Sequence, residues 1–473
     1  MQGMEFMDHI SSRQKKNVLL FWMDTLLVVL NIVAFFAIWH HYYTRDLTYI
    51  MNGHGNQLVI AINFIVYFYF ARLYGVFTIR MSRIQELVYS QFVAVTMTGF
   101  VTYIAAVLLK KEVLPIGPVF LYLAVSIGIA AVWAYLAHHC VLLVFPPKKT
   151  LIIYEHEEAQ DEGRDMIRKL QWRFEEIGSI RVLEDTEEIE NKIRDCKAEM
   201  VMLCGITSSK RNVILKYCIM HDVPVYIRPN IGDLLLSSAD PQHMANLPIL
   251  FCEKAEPKLL YLFVKRLFDI LLSLTGLILT SPILLLSAIA IKLYDGGPVF
   301  YKQVRLTRNR KRFEIYKFRS MRVDADKGGV GLVTLQDDDR ITPVGRLLRS
   351  LRIDELPQLI NILQGSMTLV GPRPERIETI ELYEKEMPEF GLRLQVKAGL
   401  TGYAQVYGKA NTRPYDKLEM DLMYIAKRGF IMDIQIILAT IKVIFMPEST
   451  EGFAEEINAD QADLGTHGRE EDL

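Results

Sequence analysis

The stretch from 258 to 294 reads KLLYLFVKRLFDILLSLTGLILTSPILLLSAIAIKLY, and it decides how the chain is organised. Its apolar part, roughly 270–291, is long enough to cross a bilayer, since a spanning helix needs about 20 apolar residues. The sequence on either side is much more polar. The stretch therefore predicts a membrane element that begins the C-terminal part of the protein.

Ser281 and Pro282 stand in the middle of this apolar run. Proline removes a backbone donor and bends or breaks a helix, which opposes a simple span. Basic residues flank the run at both ends, so the charge asymmetry that orients a span is missing: Lys265, Arg266 and Lys292. The pattern predicts a re-entrant helix, 262–294, that bends at Ser281-Pro282 and returns to the same face. A fifth span with a proline kink is the alternative.

Four further apolar runs of bilayer-crossing length precede this element, at 17–40, 56–77, 88–109 and 117–145. Buried helices of a large soluble core are the weaker alternative. Eight basic residues flank the runs on one side, namely Arg13, Lys15, Lys16, Arg72, Arg80, Arg83, Lys148 and Lys149. The other side has three, namely Arg45, Lys110 and Lys111. This bias predicts a four-helix transmembrane anchor over 1–148 with both ends in the cytoplasm.

Residues 149–250 have the composition of a soluble domain in which short apolar strands alternate with polar helical stretches. This alternation predicts a small α/β Rossmann-like domain with a parallel sheet. A dinucleotide site would need a glycine-rich turn after the first strand, but Glu155-His156-Glu157-Glu158 occupies that place. Acidic side chains at a helix N-terminus repel phosphate, so a structural or regulatory role is the better interpretation.

The C-terminal part combines an acidic pair with many arginines. Asp354 and Glu355 are adjacent and lie beside a helix-breaking proline, among the arginines at 346, 349, 352 and 373. A carboxylate can hold Mg²⁺ or attack phosphorus while arginines neutralise phosphate charge. A surface salt-bridge cluster is the alternative that the spacing alone leaves open.

Charge, cysteine spacing and the terminal segments indicate which partners and which compartment to expect. The formal net charge is -1, which indicates no charged partner for the whole chain, and we expect no nucleic-acid partner. The five cysteines lack metal-site spacing and indicate a reducing compartment, and the N-terminus shows no removable signal peptide. The segment 451–473 is acidic and poor in large apolar residues, which predicts a disordered tail.

Several motifs occur in one order along the last part of the chain. They are KRLFD (265–269), the apolar run with Ser281-Pro282, GPVFYKQVR (297–305), YKFRSM (316–321), RIDELPQLINIL (352–363), LVGPRPE (369–375) and GLTGYAQV (399–406). This set resembles the bacterial monotopic phosphoglycosyl transferases, the polyprenyl-phosphate sugar-1-phosphate transferase family. The anchor and the glycine-poor domain resemble its long members, the undecaprenyl-phosphate galactose and glucose phosphotransferases.

The resemblance implies a fold and an activity. The expected fold is a membrane α-helical bundle of four spans, a small Rossmann-like α/β domain, and a mainly α catalytic domain over 258–450. Such enzymes transfer a hexose 1-phosphate from a UDP-sugar to undecaprenyl phosphate with Mg²⁺, and release UMP. They begin exopolysaccharide, capsule or O-antigen assembly. We therefore expect a multi-pass protein of the bacterial inner membrane with its catalytic domain on the cytoplasmic face, and a homodimer is compatible with the resemblance.

The resemblance also assigns site residues. Asp354 falls on the family's nucleophile, and Glu355 on its acidic partner, which holds Mg²⁺ or positions the pair. For phosphate contacts we expect Lys302, Arg305, Arg319 and Arg373, with Lys265 and Arg266 nearer the lipid headgroup. Asp421 and Tyr424 match an acidic residue and a tyrosine near the family's site, although both have an equally good structural interpretation. Ala398 replaces a usual proline before the glycine turn.

Two alternatives to this activity remain at the level of sequence. One is a catalytically idle membrane scaffold or regulator of polysaccharide assembly, against which the intact Asp354-Glu355 pair argues. The other is a polytopic transporter or multi-span transferase. That alternative needs acidic residues inside the spans, whereas here the acidic pair lies in the polar C-terminal part.

Overall fold

The computed structural model divides the chain into two compact units, Met1–Arg228 and Pro229–Leu473. The residues that it describes are 12–44, 54–80, 82–182, 186–244, 247–252, 259–323, 325, 340–408 and 412–444. The predicted tail at 451–473 lies outside the described residues.

The first unit begins with four long helices, α1 (Ser12–Tyr42), α2 (Gly55–Leu73), α3 (Ile84–Lys110) and α4 (Gly117–Val144). Large apolar side chains on their outer faces are exposed, as lipid-facing residues would be, and polar side chains pair inside. Tyr67 hydrogen-bonds Gln91 at 3.0 Å, and Asn63 donates to Thr102 at 3.3 Å. Among the described residues, five helices are long and apolar enough to cross a membrane, these four and one in the second unit.

The same unit continues into an α/β region. Its strands are β1 (Lys148–Tyr154), β2 (Phe174–Arg181), β3 (Met200–Cys204) and β4 (Val225–Ile227), and its helices are α5 (Glu157–Lys169), α6 (Thr186–Asp195) and α7 (Ser208–Met220). All strand pairs are parallel, in the order β2-β1-β3-β4. The sheet thus ends at Ile227, earlier than the boundary predicted at 250, because the following helix packs Leu234 into the core of the second unit.

The acidic residue that follows β1 takes part in the structure of this region. The Glu155 carboxylate accepts from the backbone N–H of Thr207 at 2.8 Å and from Lys210 Nζ at 3.0 Å. These donors lie at the N-terminus of α7, the helix after β3, where free backbone N–H groups can bind an anion. A side chain of the protein itself therefore occupies this helix end.

The second unit is built around one long helix, two small sheets and several short helices. Its helices are α8 (Ile231–Leu236), α9 (Leu259–Asp295), α10 (Pro343–Ser350), α11 (Gln358–Gln364), α12 (Ile377–Glu386), α13 (Tyr403–Tyr407), α14 (Pro414–Lys427) and α15 (Phe430–Ile444). Its strands are β5 (Asp240–Met244), β6 (Leu247–Phe251), β7 (Phe300–Leu306), β8 (Arg312–Phe318), β9 (Met367–Val370) and β10 (Ala398–Thr401). The pairs β5–β6 and β7–β8 are antiparallel hairpins, whereas β9 and β10 are parallel.

Ser281 and Pro282 lie inside α9, which is helical on both sides of them. Pro282 has no N–H to give the carbonyl of Ile278, and Ser281 Oγ donates to that oxygen instead, at 2.7 Å. The break predicted at Ser281-Pro282 therefore does not interrupt the helix, because the serine hydroxyl satisfies the carbonyl that proline leaves open. A bend and a return to the same face stay predictions.

Residues on both sides of Pro282 pack against the same globular body. Before it, Asp269 accepts from Thr368 Oγ1 at 2.8 Å. After it, Ile291 belongs to a buried cluster with Phe318. Side chains near the middle of α9, such as Leu279 at 73%, are exposed. Leu277 and Leu284 also pack against buried clusters, so one face of the helix is covered along much of its length and the other face leaves apolar side chains exposed.

Candidate active site

Asp354 and Glu355 lie in a single 3-10 turn, Ile353–Glu355, between α10 and α11. Arg352, directly before this turn, adopts a left-handed backbone conformation with φ 54°. Few residues other than glycine do so without strain, and such strain often marks functional sites. The left-handed conformation of Arg352 ends α10. The carboxyl groups of Asp354 and Glu355 therefore lie on a short connection between two helices and not along a helix face.

Two cations from distant parts of the chain meet at Glu355. Lys317 Nζ, on β8, lies 2.9 Å from Glu355 Oε1, and Arg373 Nη2 lies 3.0 Å from the same oxygen. The Glu355 side chain is 15% exposed, whereas Arg373 keeps 41% of its surface open. The Glu355 carboxylate therefore lies in the interior of the cluster, and the Arg373 guanidinium faces solvent.

The two carboxyl groups have opposite electrostatic character. Burial alone would raise the pKa of Glu355, but Lys317 and Arg373 hold it well below its usual range, so this group stays ionised. Burial and the neighbouring Glu355 charge raise the pKa of Asp354 to about 6, against the attraction of Lys317 and Arg349. Different environments for two adjacent carboxyl groups are typical of catalytic pairs.

The loop that follows β9 and carries Arg373 packs closely against the backbone of β10. A Cβ atom added at Gly399 would lie 2.2 Å from the nitrogen of Gly371, so only glycine allows β10 to approach the loop this closely. Ala398, where the resemblance led us to expect proline, donates its N–H to Thr307 Oγ1 at 3.1 Å. Proline could not make that bond, so the departure adds a hydrogen-bonded anchor here.

A buried ion-pair cluster supports the same loop. Arg393, 3% exposed, pairs with Asp421 at 2.7 Å and with Glu375 at 3.7 Å. Arg393 Nη2 also donates to the backbone carbonyl of Arg373 at 3.2 Å. Lys317, Glu375 and Arg393 were not among the predicted site residues, although Lys317 and Glu375 lie within the motifs YKFRSM and LVGPRPE. Asp421 has a structural partner here, in agreement with its structural interpretation.

The four residues expected at phosphate lie in different surroundings. Arg373 joins the dyad, whereas Arg319, 7% exposed, forms an ion pair with Asp295 at the end of α9. Arg305 Nη1 donates to the carbonyl of Pro374 at 3.2 Å and so braces the arginine loop. Lys302 lies 3.6 Å from Glu314 on the exposed face of the hairpin. Their predicted roles at phosphate are not tested by these contacts.

The two residues expected near lipid headgroups make internal contacts. Lys265 Nζ lies 2.7 Å from Asp433 Oδ2, and Tyr424 donates to Asp433 Oδ1 at 2.8 Å. Arg266 donates to two carbonyls at the C-terminal end of α11, at 2.6 and 2.7 Å. These contacts join the first turns of α9 to the catalytic unit, and a direct headgroup contact stays a prediction.

The donor set was compared with what Mg²⁺ requires. Among the described residues, no three His, Cys, Asp or Glu side chains gather in a metal-binding group. Mg²⁺ at phosphate-transfer sites usually takes one or two carboxylates together with substrate phosphates and waters. Asp354 and Glu355 supply two adjacent carboxyl groups, and both cations contact one oxygen of Glu355, which leaves the other for a ligand. The residues therefore fit such an ion.

Comparison with known proteins connects this geometry to a family. The model for "Bacterial sugar transferase" matches residues 260–447, which span the dyad, Lys317 and Arg373. The exopolysaccharide production protein PSS of Rhizobium leguminosarum bv. phaseoli is 42% identical over 189 residues, 38% of this chain and 94% of that protein. The chain belongs to the bacterial sugar transferase family. At the level of family, this confirms the predicted resemblance to sugar-1-phosphate transferases and the prediction that the protein is an enzyme.

Other members of the bacterial sugar transferase family have more specific names. A UDP-N-acetylgalactosamine-undecaprenyl-phosphate N-acetylgalactosaminephosphotransferase of Aeromonas hydrophila is 36% identical over 234 residues, 49% of this chain and 54% of that protein. The UDP-glucose:undecaprenyl-phosphate glucose-1-phosphate transferase of Escherichia coli (strain K12) is 40% identical over 183 residues, 38% of this chain and 39% of that protein. The chain thus matches about half of the first relative and less of the second.

Proposed function

We propose that this protein transfers a hexose 1-phosphate from a UDP-sugar to undecaprenyl phosphate and releases UMP, as the first membrane step of surface-polysaccharide assembly. The observation that carries the proposal is the Asp354–Glu355 pair, whose Glu355 is held by Lys317 and Arg373 in one cluster. The names of two similar proteins, which act on undecaprenyl phosphate, support it. The active site then faces the cytoplasm, where nucleotide sugars are made.

In the first step, Asp354 acts as the nucleophile. A carboxylate oxygen of Asp354 attacks the β-phosphorus of the UDP-sugar, and a new phosphorus–oxygen bond forms to the enzyme. The bond between that phosphorus and the oxygen bridging to the α-phosphate breaks, and UMP departs with the electron pair. The product is a phosphosugar-aspartyl enzyme, which divides one difficult displacement into two easier ones.

In the second step, an oxygen of the lipid phosphate attacks the same phosphorus. The aspartyl–phosphorus bond breaks, the Asp354 carboxylate is restored, and undecaprenyl diphosphate sugar leaves. Because UMP departs before the lipid reacts, the proposal requires ping-pong kinetics. The nucleophile needs no added base, since a carboxylate attacks in its ionised form.

Both steps bring anions together, so positive charge has to be in place beforehand. Arg373 presents a fork of donors that matches phosphate oxygens, and Lys317 adds a point charge beside it. Glu355 holds these two cations at fixed positions, which reduces the reorganisation needed as charge develops. A Mg²⁺ ion bound at Asp354 and Glu355 would supply further neutralisation of phosphate charge.

The position of α9 supports placing this site at the membrane surface. The helix packs one face against the catalytic unit both before and after Pro282, through Asp269 and Ile291, and exposes apolar residues on its other face. A helix that dips into one leaflet and returns accounts for both facts. The lipid phosphate and the soluble nucleotide can then reach the dyad from the membrane and from the cytoplasm, respectively.

The proposal is tested by a UMP-release assay on the purified full chain. A panel of UDP-sugars is presented with undecaprenyl phosphate and Mg²⁺, and each nucleotide product is quantified. We expect UMP from at least one UDP-hexose, with no release from an Asp354→Asn variant. No UMP from any sugar in the panel, with a folded protein, would favour the idle scaffold instead.

A further inference from the structure

A group of cations lies on the second unit apart from the dyad, at the C-terminal end of α11. Arg266, on α9, donates to the last carbonyls of that helix, those of Ile362 and Leu363. Arg308 and Lys397 arrive from two other segments. We name Arg266, Arg308 and Lys397 the α11-end cluster.

Hydrogen bonds fix the positions of the segments that carry this cluster. Thr307, directly before Arg308, donates to the carbonyl of Ser366 at 2.9 Å, and Ser366 follows the end of α11 by two residues. The same hydroxyl accepts from the N–H of Ala398, directly after Lys397, at 3.1 Å. One threonine therefore brings Arg308 and Lys397 to the same end of α11.

The cluster has too few negative partners. Arg308 and Lys397 are exposed and make no side-chain hydrogen bond or ion pair with any residue that the structure describes. Asp269, the carboxylate that acts on Lys397, is 5% exposed and bonds to Thr368 and to the N–H of Leu369. Although its side chain reaches solvent, neighbouring groups remove part of the hydration of Lys397, and this desolvation together with the charge of Arg266 lowers the pKa of Lys397. The charges of Arg266 and Arg308 both disfavour the charged form of Lys397, and an anion bound among the three cations would offset that repulsion.

The surroundings of the cluster indicate where that anion comes from. The first turns of α9 expose large apolar side chains, with Leu260 at 74% and Phe263 at 69%. Phe268 packs against Phe430 at the start of α15, and the adjacent Ile431 is 72% exposed. Cations beside an apolar surface of this kind match the boundary between acyl chains and phosphate headgroups.

We propose that the α11-end cluster is a binding site for the phosphate headgroup of an anionic phospholipid, separate from the catalytic pair. Arg308 and Lys397 contact the headgroup, and Arg266 adds charge while capping α11. The site rests on the proposed placement of α9 at the membrane surface, but not on the transfer reaction. It fixes the height and tilt of the catalytic unit, and so the distance between the dyad and the lipid phosphate.

The proposal is tested by titrating phosphatidylglycerol into mixed micelles of the purified full chain and counting retained lipids by native mass spectrometry. Each surface cation contributes about 1 kcal/mol to binding an anionic membrane, so Arg308→Gln/Lys397→Gln should weaken retention roughly 30-fold. The matched control, Lys216→Gln/Lys385→Gln, removes the same charge from exposed sites elsewhere and should leave retention unchanged. The charge-keeping variant Arg308→Lys/Lys397→Arg should retain the lipid.

Three outcomes overturn the proposal. One is equal retention by the wild type and the Gln pair, and another is equal loss in the control pair. In the third, inorganic phosphate displaces the lipid at equal concentration, and the cluster is then a site for soluble phosphate. Failure of the transfer proposal is seen separately, as absent UMP release by a wild-type protein that still retains phosphatidylglycerol.

Discussion

Arg373 Nη2 lies 3.0 Å from Glu355 Oε1, although 18 residues separate them in sequence. The contact joins two family motifs, RIDELPQLINIL and LVGPRPE, at the one point where the chain also places Lys317. The Glu355 carboxylate thus holds in place the two cations that we propose to contact phosphate, Lys317 and Arg373. In the proposed mechanism, the chemistry of the site depends on this contact as well as on the proposed nucleophile, Asp354.

The first prediction concerns Glu355→Gln. Loss of the carboxylate charge removes the shared partner of Lys317 and Arg373 and one proposed Mg²⁺ ligand. We expect kcat to fall by about 100-fold and the Mg²⁺ concentration for half-maximal rate to rise, since fixed charge of this kind is worth 10²–10³ in rate. UMP release at several Mg²⁺ concentrations measures both. Glu384→Gln, which removes the charge that pairs with exposed Arg310, is the control. An unchanged Mg²⁺ dependence would separate Glu355 from the metal.

The second prediction concerns the buried pair of Lys265 and Asp433, whose side chains are 16% and 8% exposed. Lys265→Met leaves the aspartate without its cation, and breaking such a pair costs about 3–5 kcal/mol. The double variant Lys265→Met/Asp433→Leu should recover much of that loss. Thermal unfolding in detergent compares the three proteins. If Lys265→Met unfolds at the wild-type temperature but its stability no longer depends on added lipid, Lys265 contacts a lipid headgroup, as its sequence motif predicts.

The third prediction concerns Glu155, which caps α7 in the α/β region. Its bond from the backbone of Thr207, with help from Lys210, lowers the pKa of this carboxyl. A carboxyl whose pKa is lower in the folded state stabilises fully above its unfolded pKa, about 4.3, and that stabilisation disappears as pH falls through the lower value. Glu155→Gln should cost about 1 kcal/mol at pH 7 and much less near pH 3. Hydrogen exchange of the α7 amides measures this local stability. If Glu155→Gln loses the same stability at pH 7 and near pH 3, the charge of Glu155 is not the cause.

The fourth prediction concerns the topology of α9. In a cysteine-free background, Ser237→Cys and Lys385→Cys place one thiol before and one after the helix. A re-entrant α9 leaves both reactive to an impermeant reagent from the cytoplasmic side only. Val113→Cys, between α3 and α4, should react from the opposite side. Opposite labelling of the first two positions would make α9 a fifth span.

The sequence predicted best those features that depend on residues close together in the chain. The long apolar helices, the alternating α/β region and the acidic pair at 354 and 355 all follow from periodicity, length or adjacency. Residue types alone could not assign each basic residue to its partner. Arg319 was predicted to contact phosphate, and only the fold shows that its side chain also pairs with Asp295, in the space that Gly297 leaves for its guanidinium; its role at phosphate stays a prediction.

The helix at Ser281-Pro282 shows a second limit of local reasoning. Proline in an apolar run predicts a break, because its missing N–H leaves a carbonyl unsatisfied. The hydroxyl of the preceding serine supplies that bond and the helix continues. Likewise, Lys317 in the motif YKFRSM was not predicted as a site residue, because only the fold shows that its side chain faces Glu355.

The most direct measurement uses a UDP-sugar labelled with ³²P at the β-phosphate, incubated with the purified protein and Mg²⁺ but without lipid acceptor. We expect the label to stay on the denatured wild-type protein, in the peptide that contains Asp354, and to be discharged when undecaprenyl phosphate is added. Asp354→Asn should retain none, while Asp165→Asn retains as much as the wild type. Label on the Asp354→Asn variant, or transfer to lipid without any labelled protein, would rule out a phosphosugar intermediate on Asp354.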